Sequence, residues 1–115
     1  MRKWIFMLLV VCFSSSCTPE NVRREQELRA AAETAVRNKL RDPQSAVFSD
    51  VEVRLENGSV CGKVNGKNGF GGYAGAEFFA FYQGMAAVGS DDDQLLPLMR
   101  KCTEAAEEAA RAASG

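Results

Sequence analysis

The chain has 115 residues, with 14 basic side chains, 15 acidic ones and no histidine. That length allows one domain, and a formal charge of −1 offers no field that would attract DNA or RNA, so nucleic-acid binding is not expected. Without histidine the commonest metal ligand and general base is missing, and neither a Ser-His-Asp nor a Cys-His centre can be assembled. No cofactor and no metal are expected. A hydrophobic share of 46% with 25% charged residues is the composition of a folded domain, not of a disordered chain.

Arg2 and Lys3 precede an apolar run from Trp4 to Phe13, followed by Ser14-Ser15-Ser16-Cys17. A short basic region, an apolar stretch and small residues before a cut predict a secretory signal over residues 1–16. The run is too short for a membrane span, which needs roughly 20 apolar residues. Cys17 after three small residues resembles a bacterial lipobox, with Ser14 where that pattern usually has Leu. The resemblance implies acylation of Cys17 and so a membrane anchor. Thr18 after it, in place of Asp, implies the outer membrane of the cell envelope, facing the periplasm. Plain cleavage near Ser16, giving a soluble periplasmic or secreted protein, is the alternative. Loss of residues 1–16 leaves 99 residues carrying 12 basic against 15 acidic side chains, a net charge of −3.

Residues 17–41 hold the acylation site and an N-terminal helix; residues 42–115 form a small α+β domain. Thr18-Pro19-Glu20 opens the helix with a capping residue, Pro in the first turn and an acid. Val22, Leu28, Ala32, Ala35, Val36 and Leu40 recur at helical spacing, which predicts a helix from about 20 to 40, amphipathic along its second half. Its first turns would hold the domain off the membrane. Asp42-Pro43 ends it, because a residue before Pro disfavours the α region.

Phe48, Val51, Val53 and Leu55 approximate an alternating strand. Glu56-Asn57-Gly58 is a turn, and Val60, Cys61 and Val64 lie on the returning strand. Residues 65–75 form a Gly-rich loop with Gly at five of its eleven positions. Glu77 to Tyr82 is aromatic and β-prone, Gln83-Gly84 is a turn, and Met85 to Val88 is a short strand. The result is a three- to four-stranded antiparallel meander. Alternation places Phe79 and Phe81 on one face of it, with Phe78 and Tyr82 toward the other, which is covered either by a helix or by a partner. Ser90-Asp91-Asp92-Asp93 caps a second helix, starting near Leu96 so that Pro97 sits in its first turn, with Leu95, Met99, Cys102, Ala106, Ala109 and Ala113 as its apolar stripe. The fold predicted is α+β, in two layers: helix, meander, helix.

Four cysteines are present. Cys12 leaves with the signal and Cys17 is the acylation candidate. Cys61 and Cys102 remain, and in an oxidising compartment such a pair reads as a disulfide joining sheet to helix. Two buried thiols, or one reactive thiol, is the rival reading.

Two stretches stand out: Asp42-Pro43-Gln44-Ser45-Ala46-Val47-Phe48, and the run from Val60 to Phe79 containing Cys61-Gly62, Val64-Asn65, Lys67-Asn68, Gly71-Gly72-Tyr73, Gly75 and Phe79. Together they resemble a DPxSAxF…VCGxVNxKNxxGGYxGxxxF pattern of small proteobacterial and phage-associated exported proteins. The resemblance covers roughly residues 40–82 and brings no activity with it. The glycines have neither the spacing of a phosphate loop, where Asn68 would have to be Ser or Thr, nor that of a dinucleotide fingerprint. The loop is either a wide turn whose Phe70 and Tyr73 fold back on the core, or a recognition loop in which Asn65, Lys67, Asn68, Phe70 and Tyr73 meet a partner.

Three functions follow. The first is an exported, lipid-anchored envelope protein acting as a non-catalytic binding or accessory module, of inhibitor or immunity type, with an envelope protein as partner. The second is a structural lipoprotein of an envelope assembly. The third is a small cell-wall hydrolase using Asp50, Glu52 and Glu77 with Lys63 or Lys67, which would need two carboxylates about 5–9 Å apart.

Overall fold

Pro19 begins the first helix, α1 (Pro19–Arg37), at the position where a missing N–H costs nothing, and Glu20 places an acid at its positive end. In the computed structural model residues 19–114 are described. The predicted signal, Cys17 and Thr18 lie outside the described residues. Only Ala32 and Val36 of α1 are fully buried, so its amphipathic half is the second one, as its spacing predicts. The chain continues in turns to Leu40, whose N–H donates to the Arg37 carbonyl. A short 3-10 turn, Pro43–Ser45, then starts the sheet.

Strands β1 (Val47–Arg54), β2 (Ser59–Asn65), β3 (Glu77–Tyr82) and β4 (Met85–Val88) pair antiparallel in chain order, and α2 (Leu95–Ser114) follows. This is the α+β meander between two helices that the sequence predicts. Gln83 and Gly84 both take positive φ, 48° and 80°, which gives the two-residue connection of β3 and β4 the twist a hairpin needs. The β1–β2 turn is pinned by Asn57. Its amide nitrogen donates to the Lys101 carbonyl of α2, and its oxygen accepts from the Ser59 N–H and hydroxyl.

The helices cover opposite faces of the sheet, so the expected two layers become three. Register decides it. Val60, Val64, Phe79, Phe81 and Ala86 point one way and pack on Ala32 and Val36 of α1, with Phe48, Val51 and Val53 beside them. The alternate residues Cys61, Ala80, Tyr82 and Ala87 point the other way and meet Leu95, Leu98 and Met99 of α2. With alanines on that second face, α2 comes close enough for a disulfide between Cys61 and Cys102, whose Cα atoms lie 6.5 Å apart. The helix that covers the face is thus also the one stapled to it.

The buried stripe of α2 runs through Leu95, Leu98, Cys102 and Ala105. The expected stripe shares Leu95 and Cys102, but the contact line passes through Leu98 and not Met99. Branched Leu98 fills the space over Ala80 and Ala87, while Met99 sits at the flank. The last turns of α2 extend past the sheet, which leaves Ala113 exposed.

Candidate functional site

Beyond β2 and before β3 the chain extends the hairpin instead of wandering as a wide loop. Lys67 pairs with Tyr73, the Ala74 N–H donates to the Gly66 carbonyl, and the Asn68 N–H donates to the Gly72 carbonyl. At the tip, the Gly71 N–H donates to the Asn68 carbonyl, and Gly71 takes a φ of +82° that only glycine adopts without strain. The Asn68 side-chain oxygen accepts from the N–H groups of Phe70 and Gly72, and the Asn65 oxygen accepts from the Gly75 N–H. Both asparagines therefore direct their carbonyl oxygens into the loop's own backbone.

The remaining three residues face outward. Phe70, at the tip, is 100% exposed, and Tyr73 is 51% exposed. The folding of these rings onto the core, one of the two readings of the loop, does not occur. Lys67 Nζ lies 5.7 Å from the centroid of the Tyr73 ring, and its backbone N–H donates to the Ser45 hydroxyl, which in turn donates to the Asp42 carbonyl. The two sequence stretches that stood out are thus in contact. They meet again where the Phe48 ring stands edge-on to Phe79, with centroids 5.6 Å apart. The Arg37 guanidinium covers Phe48 at 5.2 Å and donates to the Pro43 carbonyl, so this arginine packs against the start of the sheet.

At the base of the hairpin an open cleft of about 560 Å³ lies between the Lys39–Arg41 segment, the hairpin and the ends of β3 and β4. Lys39 Nζ and the Asp92 carboxylate approach to 3.5 Å across its edge. Asp92 also accepts from the Gln94 N–H, in the turn just before α2, and from the Val88 N–H at the end of β4. These donors, Gln94 foremost, and the Lys39 charge hold the Asp92 carboxyl below the ordinary carboxylate range, against the opposing effect of its partial burial. Of the acidic run, Asp92 holds the turn that leads into α2 and ties it and β4 to Lys39, just after α1.

On the α2 face Phe78 is 51% exposed, beside exposed Leu96. Lys63 Nζ lies 5.5 Å from the Phe78 ring centroid and 3.5 Å from Asp50. Glu52 pairs with Arg54 at 2.6 Å. Of the three carboxylates considered for hydrolysis, Glu52 shares a face with Cys61, whereas Glu77 shares one with Val64, so these two point to opposite sides of the sheet. Among the described residues no cluster of side chains is arranged to hold a metal ion.

Ser45 and Asp92 owe their positions to contacts between segments far apart in sequence, Arg37 to the nearby Pro43 and Phe48. Ser45 and Asp92 each carried a signal, the first in the Asp42–Phe48 stretch and the second in the acidic run before α2, whereas Arg37 carried none. Comparison of the chain with protein families, curated proteins and solved structures gives no match.

Proposed function

We propose that this is an exported, lipid-anchored protein of the bacterial envelope, outer-membrane and periplasm-facing, that works as a non-catalytic binding module of inhibitor or immunity type. The hairpin of residues 65–75 is the surface it offers to a protein partner. The observation that carries this is Phe70. A complete aromatic ring stands fully exposed on a hairpin whose every turn is hydrogen-bonded. Water gains nothing from that ring and the core does not use it, whereas a rigid aromatic anchor loses little entropy on entering a pocket. A disulfide is consistent with an oxidising compartment. If Cys17 is acylated, α1 starts two residues later, and its residues 19–27, all exposed, form a helical stalk of about 13 Å between bilayer and domain.

The address and the surface are tested separately. Mass spectrometry of the protein recovered from a Gram-negative host should show loss of residues 1–16 and acylation at Cys17; an unmodified full-length chain refutes the address. Phe70→Ala should abolish capture of an envelope protein while leaving the thermal melt unchanged, an anchor of this kind contributing about 2 kcal/mol or more. Lys67→Ala and Tyr73→Ala should weaken the same capture. Partner recovery that is indifferent to all three substitutions refutes the surface. A second reading, a structural lipoprotein packed into an envelope assembly, is favoured by Phe78, half-exposed beside Leu96. In that case Phe78→Ser disrupts assembly and Phe70→Ala does not.

A further inference from the structure

The cleft at the base of the hairpin has its own chemistry, independent of Phe70. Its floor is apolar, formed by Leu40, Val64 and Val88. Two cations, Arg41 and Lys67, stand on its wall, and among the described residues neither makes an ion pair. Arg41 is held at the hairpin: a Cβ on Gly69 would fall 2.9 Å from its Nη1, so the guanidinium lies in the space this glycine leaves. The Glu77 carboxylate also lines the cleft and has no cation within ion-pair distance among the described residues. Lys39 and Asp92 neutralise each other at the edge. What remains is two positive groups without a carboxylate partner, of which Lys67 also lies over the Tyr73 ring, one carboxylate without a cation, and an apolar floor.

We infer that this cleft binds a short zwitterionic peptide, its terminal carboxylate taken by Arg41 and Lys67, its ammonium by Glu77, and its small apolar side chains resting on Leu40, Val64 and Val88. A guanidinium presents paired N–H donors that match a carboxylate. The space of about 560 Å³ lies within the range of small-ligand sites. A simple anion is disfavoured by Glu77 and a simple cation by Arg41 and Lys67. A molecule with both charges and apolar substance between them satisfies all the lining groups.

The test is an NMR titration of the full-length, 15N-labelled protein with tri-alanine, N-acetyl-tri-alanine and tri-alanine amide. Free tri-alanine should shift the amides of Gly66, Ala74, Gly75 and Val88 saturably. Capping either end should weaken binding about tenfold or more, the loss expected for one charge-assisted hydrogen bond. Arg41→Gln and Glu77→Gln, both exposed and outside any ion pair among the described residues, should reproduce the losses seen with the C-terminal and N-terminal caps respectively. Phe70→Ala should leave the titration unchanged, which separates this site from the partner surface. Absence of a saturable shift at millimolar peptide overturns the inference. So does equal binding of all three peptides, or insensitivity to the N-terminal cap and to Glu77→Gln, which would leave only an anion site.

Discussion

Gly62 has almost no space beside its Cα. A Cβ there would lie 3.0 Å from Phe79 Cε1, 3.0 Å from the Val51 Cα and 3.2 Å from the Asp50 carbonyl oxygen. Two of these three are backbone atoms of the irregular stretch where β1 slips register and Asp50 takes a φ of 51°. Alanine is otherwise preferred to glycine within a strand, so the sign is informative: Gly62→Ala should destabilise by about 1–3 kcal/mol, read as a lower urea midpoint. Asp92 acts on the same scale through charge. Its carboxyl is held below the ordinary range in the folded protein, so its stabilisation is complete above the pKa of the unfolded chain and is lost as pH falls through that value toward the depressed folded one. Asp92→Ala should cost about 1–2 kcal/mol near neutral pH, the usual loss for hydrogen bonds to a charged group, and should flatten the acid limb of a melting-temperature profile. A variant whose acid limb is as steep as the parent's contradicts this role.

The 65–75 hairpin and α2 show how elements acquire purposes their own residues do not announce. Side chains stiffen the hairpin at its base, where Asn65 and Ser45 accept from the Gly75 and Lys67 N–H groups, and at its tip, where the Asn68 oxygen holds the N–H groups of Phe70 and Gly72. Removing it in Asn68→Ala should leave the global midpoint nearly unchanged, because the tip is exposed. Local opening should become easier by about 1 kcal/mol, so the Phe70 and Gly72 amides exchange about fivefold faster. Unchanged exchange would mean that the backbone pairs alone hold the tip. For α2, the period of apolar residues located the helix but placed its buried line one side chain off, at Met99 where Leu98 is buried. A 3.6-residue period allows either i+3 or i+4 after Leu95. The alanine floor of the sheet selects between them, and that floor is formed by other strands.

At the scale of the whole molecule, three layers are held by two unlike seams. The α1 side is aromatic, with Phe48, Phe79 and Phe81 packed beneath Ala32 and Val36. The α2 side is small and closed covalently by the bond between Cys61 and Cys102, 41 residues apart. Closing a loop of that length contributes about 4 kcal/mol in the chain-entropy account, a large share of the 5–15 kcal/mol typical of a domain. The Cys61→Ala/Cys102→Ala double variant should therefore lose about that much in urea unfolding, and reductant should lower the parent's midpoint to the variant's. A midpoint indifferent to reductant would show that α2 stays docked by Leu95 and Leu98 alone.

Much of this was legible in the residues themselves. Pro19 marks the start of the first helix, though its end at Arg37 comes before the Asp42-Pro43 stop that the sequence suggests; Gly58 and Gly84 place two turns, aromatic and β-branched runs mark the strands, and two unassigned cysteines form the pair that bonds. These are local properties: a ring that sets φ, a glycine free to take positive φ, a period of two or of 3.6. Opaque were the features that depend on which segments meet. Alternation showed that β3 has two apolar faces but not that each receives its own helix, because the side to which a connection returns is decided by packing. The loop's composition suited an inward or an outward aromatic equally; pairing of Lys67 with Tyr73 turned Phe70 out. The cleft with Arg41, Lys67 and Glu77 on its walls exists only once α1, the hairpin and the sheet are brought together, because charge and shape at such a place belong to the tertiary structure and to no single stretch of chain.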